Sequence, residues 1–291
     1  MSPSSSPATR LGRLGVWSGE LRFSAPDDST AATQELEAQG WSAAWMPGGL
    51  DDRVLSDLDR LLSATRTMTL ATGILNIWKH EPADVGAWWR SQSPERQARL
   101  MIGVGVSHAP AIGEAYQRPL EKMRGYLQSL LAEGLPRESL CVAALGPKML
   151  ELSAEFTAGA HPYLVTPEHT AIARKTLGPD ALLAPEQGVV LETDPAKARA
   201  LARQALTTYL ALPNYLNSWR RLGFSEDDVR GSDRLVDALF AWGDVAAIRD
   251  RIQAHYDAGA DHVCLQVVSG PMSASLGPAR VGWKQLAAAL L

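Results

Sequence analysis

The chain alternates between two hydrophobic rhythms. Short runs of apolar, β-branched or aromatic residues recur along it, and between them lie longer segments in which apolar residues return every three or four positions. Eight of the short runs read as strands, at 14–18, 42–46, 68–75, 100–106, 140–145, 161–165, 182–191 and 262–268. The longer segments read as helices at 30–39, 53–64, 82–96, 116–133, 147–156, 167–177, 195–212, 245–258 and 281–291. Several of these open on a small polar residue or Gly followed by Pro, as at Gly146-Pro147, Thr166-Pro167 and Asp194-Pro195. Proline's fixed φ and missing N–H suit a first helical turn, and a small polar residue before it can cap the free N–H groups. Strands alternating with helices build a parallel sheet. A doubly wound sheet shows the same alternation, but a count of eight favours an α/β fold of the (β/α)8 TIM barrel kind. Residues 214–242 break the rhythm. They read as an extra helical insertion before the last strand, too long for a connection of roughly 4 to 6 residues, and are expected to cover the barrel or build an interface.

Length and composition fit this reading. At 291 residues and 46% hydrophobic the chain can bury one large core, and barrels of this kind commonly use about 250 residues as one domain. Residues 11–291 are expected to form that domain. Met1 to Arg10, rich in Ser and Pro, is expected to be a disordered tail. The net charge of −4 arises from interspersed acids and bases, so there is no basic stripe to mark a nucleic-acid or membrane surface. No apolar run approaches the roughly 20 residues that span a bilayer, and the polar start lacks a hydrophobic signal segment. Two cysteines, Cys141 and Cys264, sit inside apolar runs and read as small buried hydrophobes, with no spacing for zinc. A cytoplasmic protein is expected.

In a parallel barrel the chemistry lies where strands end, so the strand exits hold the candidates. The third strand ends Thr72-Gly73-Ile74-Leu75-Asn76-Ile77-Trp78; a Gly inside a strand marks a bulge or a close approach to the backbone, or merely tight packing. The fourth ends Gly103-Val104-Gly105-Val106-Ser107-His108, and His108 is the best single acid or base, with an ordinary pKa near neutrality. A histidine in a loop has plainer uses too, and His80, His161, His169, His255 and His262 compete for notice. The fifth runs Leu145-Gly146-Pro147-Lys148 straight into a helix, whose free N–H groups and partial positive charge make an anion site, with Lys148 adding a cation. An ordinary strand-to-helix turn accounts for the same residues. The second exit, Pro47-Gly48-Gly49-Leu50, supplies neither acid nor base. No nucleophile elbow or Walker loop is present.

Taken in order, these exits and the stretches Gly159-Ala160-His161-Pro162-Tyr163 and Ala184-Pro185-Glu186-Gln187 resemble the luciferase-like monooxygenase superfamily. The resemblance is greatest to its coenzyme F420-dependent oxidoreductase branch and covers nearly the whole chain. It implies a barrel of the luciferase-like type that passes hydride between a small organic substrate and F420, with FMN as the rival cofactor. It implies a homodimer. It puts a non-prolyl cis peptide at Gly73-Ile74 against the cofactor ring, adds Asn76, Val106 and Ser107 to the cofactor's surroundings, and places the phosphate at Leu145, Gly146 and Lys148. His108 falls where related enzymes carry a proton-donating acid. Gly48-Gly49 stands where sugar-phosphate and alcohol dehydrogenases of the family carry an Asp-His or similar pair, so their substrates are not implied. A non-catalytic cofactor-binding protein, and a hydrolase or isomerase barrel using only the phosphate site, are the other classes the sequence leaves open.

Overall fold

The structure, a computed structural model, describes residues 6–49, 51–270 and 275–291. Its strands, all parallel, are β1 (Leu14–Trp17), β2 (Ala43–Met46), β3 (Thr69–Thr72), β4 (Leu75–Asn76), β5 (Leu100–Gly105), β6 (Leu140–Val142), β7 (Gly159–Ala160), β8 (Leu182–Leu183), β9 (Glu186–Val190), β10 (Phe240–Trp242) and β11 (Val263–Val267). They form one curled sheet in the order β10-β9-β11-β1-β2-β3-β5-β6-β7-β8, with β4 paired to β5. Closure comes from residues 182–190, a single strand position broken at Ala184-Pro185. Its first half pairs with β7 (Gly159↔Leu182), and its second half pairs with β11 (Cys264↔Glu186). Eight strand positions thus ring the barrel, with helices between them.

Burial on both faces of every strand explains the apolar runs. Trp17, Trp45, Ala71, Met101, Cys141 and Cys264 pack together inside the ring. Their neighbours Val16, Ala44, Leu70, Ile102, Val142 and Leu265 pack outward against the helices, as the two-residue side-chain period of a strand requires. Gly103 serves this packing and not a ligand: a Cβ there would lie 2.1 Å from the carbonyl oxygen of Thr72. Both cysteines are free and buried.

Three expectations are corrected. The polar start is structured from Ser6 onward: Ser6 Oγ accepts from the N–H of Thr9 (3.2 Å), the helix Pro7–Leu11 follows, and Leu11 is buried in the barrel interior. The Ser-Pro pair there is the same start signal that opens other helices. Residues 1–5 lie outside the described residues. The sixth strand is not 161–165 but Gly159–Ala160, because Pro162 has no N–H for the ladder and Leu164 turns into the left-handed region (φ 53°). The insertion is not wholly helical. Helices Pro213–Arg221 and Asp233–Leu239 lead into β10, which pairs with β9, and most of its buried residues share a second apolar core with helix Pro195–Leu206. Among the described residues no helix is long and apolar enough to cross a membrane.

Candidate active site

The strand exits converge on a cavity of about 530 Å³ at the carboxyl mouth of the barrel. Gly73, Ile74, Asn76, Val106, Ser107, His108, Leu145 and Gly146 all line it. Lys148 does not; it stands exposed in the first turn of helix Pro147–Phe156. The cation that does line the cavity at this turn is Arg221, whose Nη2 donates to Leu145 O (3.3 Å) and would lie 3.7 Å from a Cβ on Gly146. Arg221 was out of reach of local sequence reading because it comes from the insertion, 76 residues away.

The floor is the end of β3. The peptide Gly73-Ile74 is cis, and the polar atoms of it and of the two peptides flanking it are held from three sides. Gly73 N–H donates to Met46 O (2.8 Å), Trp17 Nε1 donates to Gly73 O (3.1 Å), and Gly48 N–H donates to Ile74 O (3.0 Å). Residue 48 must be small, since a Cβ there would meet Ile74 O at 2.5 Å. So Gly48 has a structural use that its lack of chemistry concealed. At Gly105 a Cβ would collide with the Ile74 side chain at 2.6 Å. Asn76 is buried; its Oδ1 accepts from the N–H of Trp78 (3.0 Å), which fixes the amide's orientation and leaves Nδ2 without a hydrogen-bond partner among the described residues.

His108 ends the β5 exit, after Ser107, which adopts a positive φ of 55°. Its ring lies 5.7 Å from that of Tyr215. Burial pushes its pKa below the ordinary 6.5, against an opposing hydrogen bond with the Asn214 side chain. Nδ1 has no hydrogen-bond partner among the described residues. At neutral pH the imidazole is biased to the uncharged form.

An aromatic wall closes the cavity. Tyr163 lies 5.3 Å from Trp17 and 5.5 Å from Tyr209, centroid to centroid, and Tyr209 meets Tyr215 edge-on at 5.0 Å. Tyr163 OH donates to Gln266 Oε1 (2.8 Å) and Tyr209 OH to Tyr163 OH (3.3 Å). Leu164 sits in its left-handed turn because Glu186 Oε2 accepts from its N–H (3.1 Å) and Trp219 Nε1 donates to its carbonyl (3.2 Å). Glu186 is fully buried behind this wall, and burial raises its pKa to about 8. Among the described residues no carboxylate lines the cavity itself. The wall tyrosines 209 and 215 come from the segment before and within the insertion. The described residues hold no cluster of three or more His, Cys, Asp or Glu side chains suited to a metal ion.

No family model matches the chain. A 5,10-methylenetetrahydromethanopterin reductase of Archaeoglobus fulgidus is 24% identical over 249 residues, covering 72% of this chain and 75% of that protein. Among solved structures, the coenzyme F420-dependent tetrahydromethanopterin reductase of Methanopyrus kandleri superposes with a TM-score of 0.73 at 15% identity, covering 94% of this chain and 97% of that one. The oxygenating constituent of 3,6-diketocamphane monooxygenase of Pseudomonas putida, solved with FMN, gives 0.65 at 11% identity, covering 96% and 98%. The (β/α)8 barrel expected from the sequence is the fold this chain has, and these proteins share it.

Proposed function

We propose that the protein is an F420-dependent oxidoreductase acting on a small, uncharged organic substrate. The observation that carries this reading is the convergence of the β3, β5 and β6 exits on one aromatic-walled cavity that has a helix N-terminus without a side-chain cap at one end. Such a cavity fits a planar ring bearing a phosphorylated side chain. Gly73 and Ile74 form the surface for the ring, Asn76, Val106 and Ser107 flank it, and Leu145 and Gly146 present the helix terminus to the phosphate. F420, when bound, supplies a ring carbon that accepts or gives hydride.

The chain's own residues do the rest. The wall of Trp17, Tyr163, Tyr209 and Tyr215 excludes water and orients an apolar substrate. His108 holds or takes the substrate's proton. The lack of any carboxylate among the lining residues disfavours a cationic substrate. FMN is the second reading, favoured by the FMN-bound neighbour of the same fold.

A panel of small alcohols and carbonyl compounds, screened with oxidised and reduced F420, tests the catalytic claim. Substrate-dependent change in F420 absorbance is expected; F420 bound without turnover across the panel would make the protein a non-catalytic binder. A cytoplasmic location, no nucleic-acid partner and a homodimer complete the reading. A monomer mass by light scattering at micromolar concentration would remove the dimer.

A further inference from the structure

Arg221 ends helix Pro213–Arg221 of the insertion and lines the cavity where Leu145 and Gly146 stand. Asn214, Asn217 and Arg221 lie three and four residues apart, so they share one helix face, and all three line the cavity. Trp219, fully buried, pins this helix by donating from Nε1 to Leu164 O (3.2 Å). The backbone that carries Arg221 is thereby held at the mouth.

A basic residue in a helix's last turn is commonplace, since it complements the dipole there. Its surroundings set Arg221 apart. The guanidinium of Arg220, next to it in the chain, is taken up by both carboxylate oxygens of Glu226 (2.6 and 2.7 Å). Arg221 has no carboxylate partner among the described residues, and its one hydrogen bond there goes to Leu145 O (3.3 Å). That carbonyl does not depend on Arg221, because His169 Nε2 reaches the same oxygen at 3.0 Å. Among the described lining residues Arg221 is also the one arginine, with no lysine, aspartate or glutamate beside it. The lining histidines, 108 and 161, are held toward the neutral form by burial. The cavity therefore carries one uncompensated positive charge, placed at one end.

The geometry points to Arg221 as the residue that binds the cofactor's phosphate, its planar fork of N–H donors matching the phosphate oxygens. This deepens the reading above and rests on its claim that a flavin-type ring lies over Gly73-Ile74 with its phosphorylated chain running to Gly146; FMN and F420 both carry a phosphate on that chain. Arg221 takes the part expected of Lys148, which stands outside the lining. An anionic group on the substrate has the same chemistry, but the spacing favours the cofactor. Asn214, which hydrogen-bonds His108, lies about 10 Å along the helix from Arg221. That is the span of a phosphorylated side chain, not of a small substrate held at His108.

The test compares FMN with riboflavin, which has the same ring and chain without the phosphate, in the full-length wild type, Arg221→Gln and Arg221→Lys, with F420 titrated alongside. The wild type is expected to prefer FMN. Arg221→Gln should cut that preference about 10-fold, the low end for a charge-assisted hydrogen bond because the guanidinium is exposed. Riboflavin affinity should stay unchanged, and F420 affinity should fall with that of FMN. Arg221→Lys, which keeps the charge without the fork, should restore part of the preference. No preference for FMN in the wild type, or an undiminished one in Arg221→Gln, would overturn the assignment. So would FMN and riboflavin losing affinity by the same factor, the mark of a residue that only braces the helix. The cofactor reading survives each of these results, because the wild type still binds. Failure of the wild type to bind FMN or F420 at all would overturn both.

Discussion

His108 and Lys148 show what single residues in the sequence do and do not disclose. His108 was legible because it follows a strand of unmistakable pattern and ends in the cavity. Lys148 stands in a helix's first turn, but which first-turn side chains reach a cavity is not visible in the sequence, and Lys148 is exposed and not among the lining residues. Arg221, Tyr209 and Tyr215 were missed for a different reason: their only signal is three-dimensional, since the insertion and the segment just before it supply lining residues to the mouth. At this scale the account predicts that His108→Ala slows the chemical step roughly 10²- to 10⁴-fold, the usual cost of removing a positioned acid or base. Cofactor affinity should stay nearly unchanged. If His108 only braced the loop through Asn214 and Tyr215, the variant would keep its rate and pH profile, or lose cofactor binding together with rate.

Among the elements, two of the helices were legible to the residue and two of the short strands were not. Helices Pro147–Phe156 and Pro167–Leu177 begin and end where the Pro signal and the apolar period place them. Strands of two or three residues, such as Gly159–Ala160 and Phe240–Trp242, are defined by the ladder partner they meet, which no local pattern encodes. The turn into helix Pro147–Phe156 carries a prediction. Gly146, the N-cap residue, has an ordinary φ of −107° and no side-chain cap, so Gly146→Asp can be accepted without backbone strain and even favours the helix. It also sets a carboxylate near Arg221. Cofactor binding should therefore weaken by 10-fold or more while the melting temperature holds or rises. Unchanged affinity in a folded variant would put the phosphate elsewhere.

The whole molecule stores buried titratable groups whose opposing demands set its pH range. His161 and His262 have pKa values lowered to about 4 and His255 to about 3 by burial. As pH falls below 6.5 the unfolded chain takes up protons that the folded chain refuses, so these groups cost stability toward acid. Glu186 acts the other way. Between its unfolded pKa of 4.5 and its folded value of about 8 the native state holds the extra proton, so stability falls as pH rises through that window. Glu186→Gln keeps the amide acceptor for Leu164 N–H and removes the titration. Thermal melts should show the wild type losing stability from pH 6.5 to 8, by up to about 1.4 kcal/mol per pH unit, and the variant losing less; parallel curves would place Glu186 in its ordinary range.

The same scale holds the central claim, that the barrel mouth is a site for F420. It is tested most directly by equilibrium titration of the full chain with F420 and with FMN in parallel, read on the ligands' own absorbance and fluorescence. Saturable binding of both to a single site, tighter for F420, is expected. Tight FMN binding with no detectable F420 affinity would contradict it.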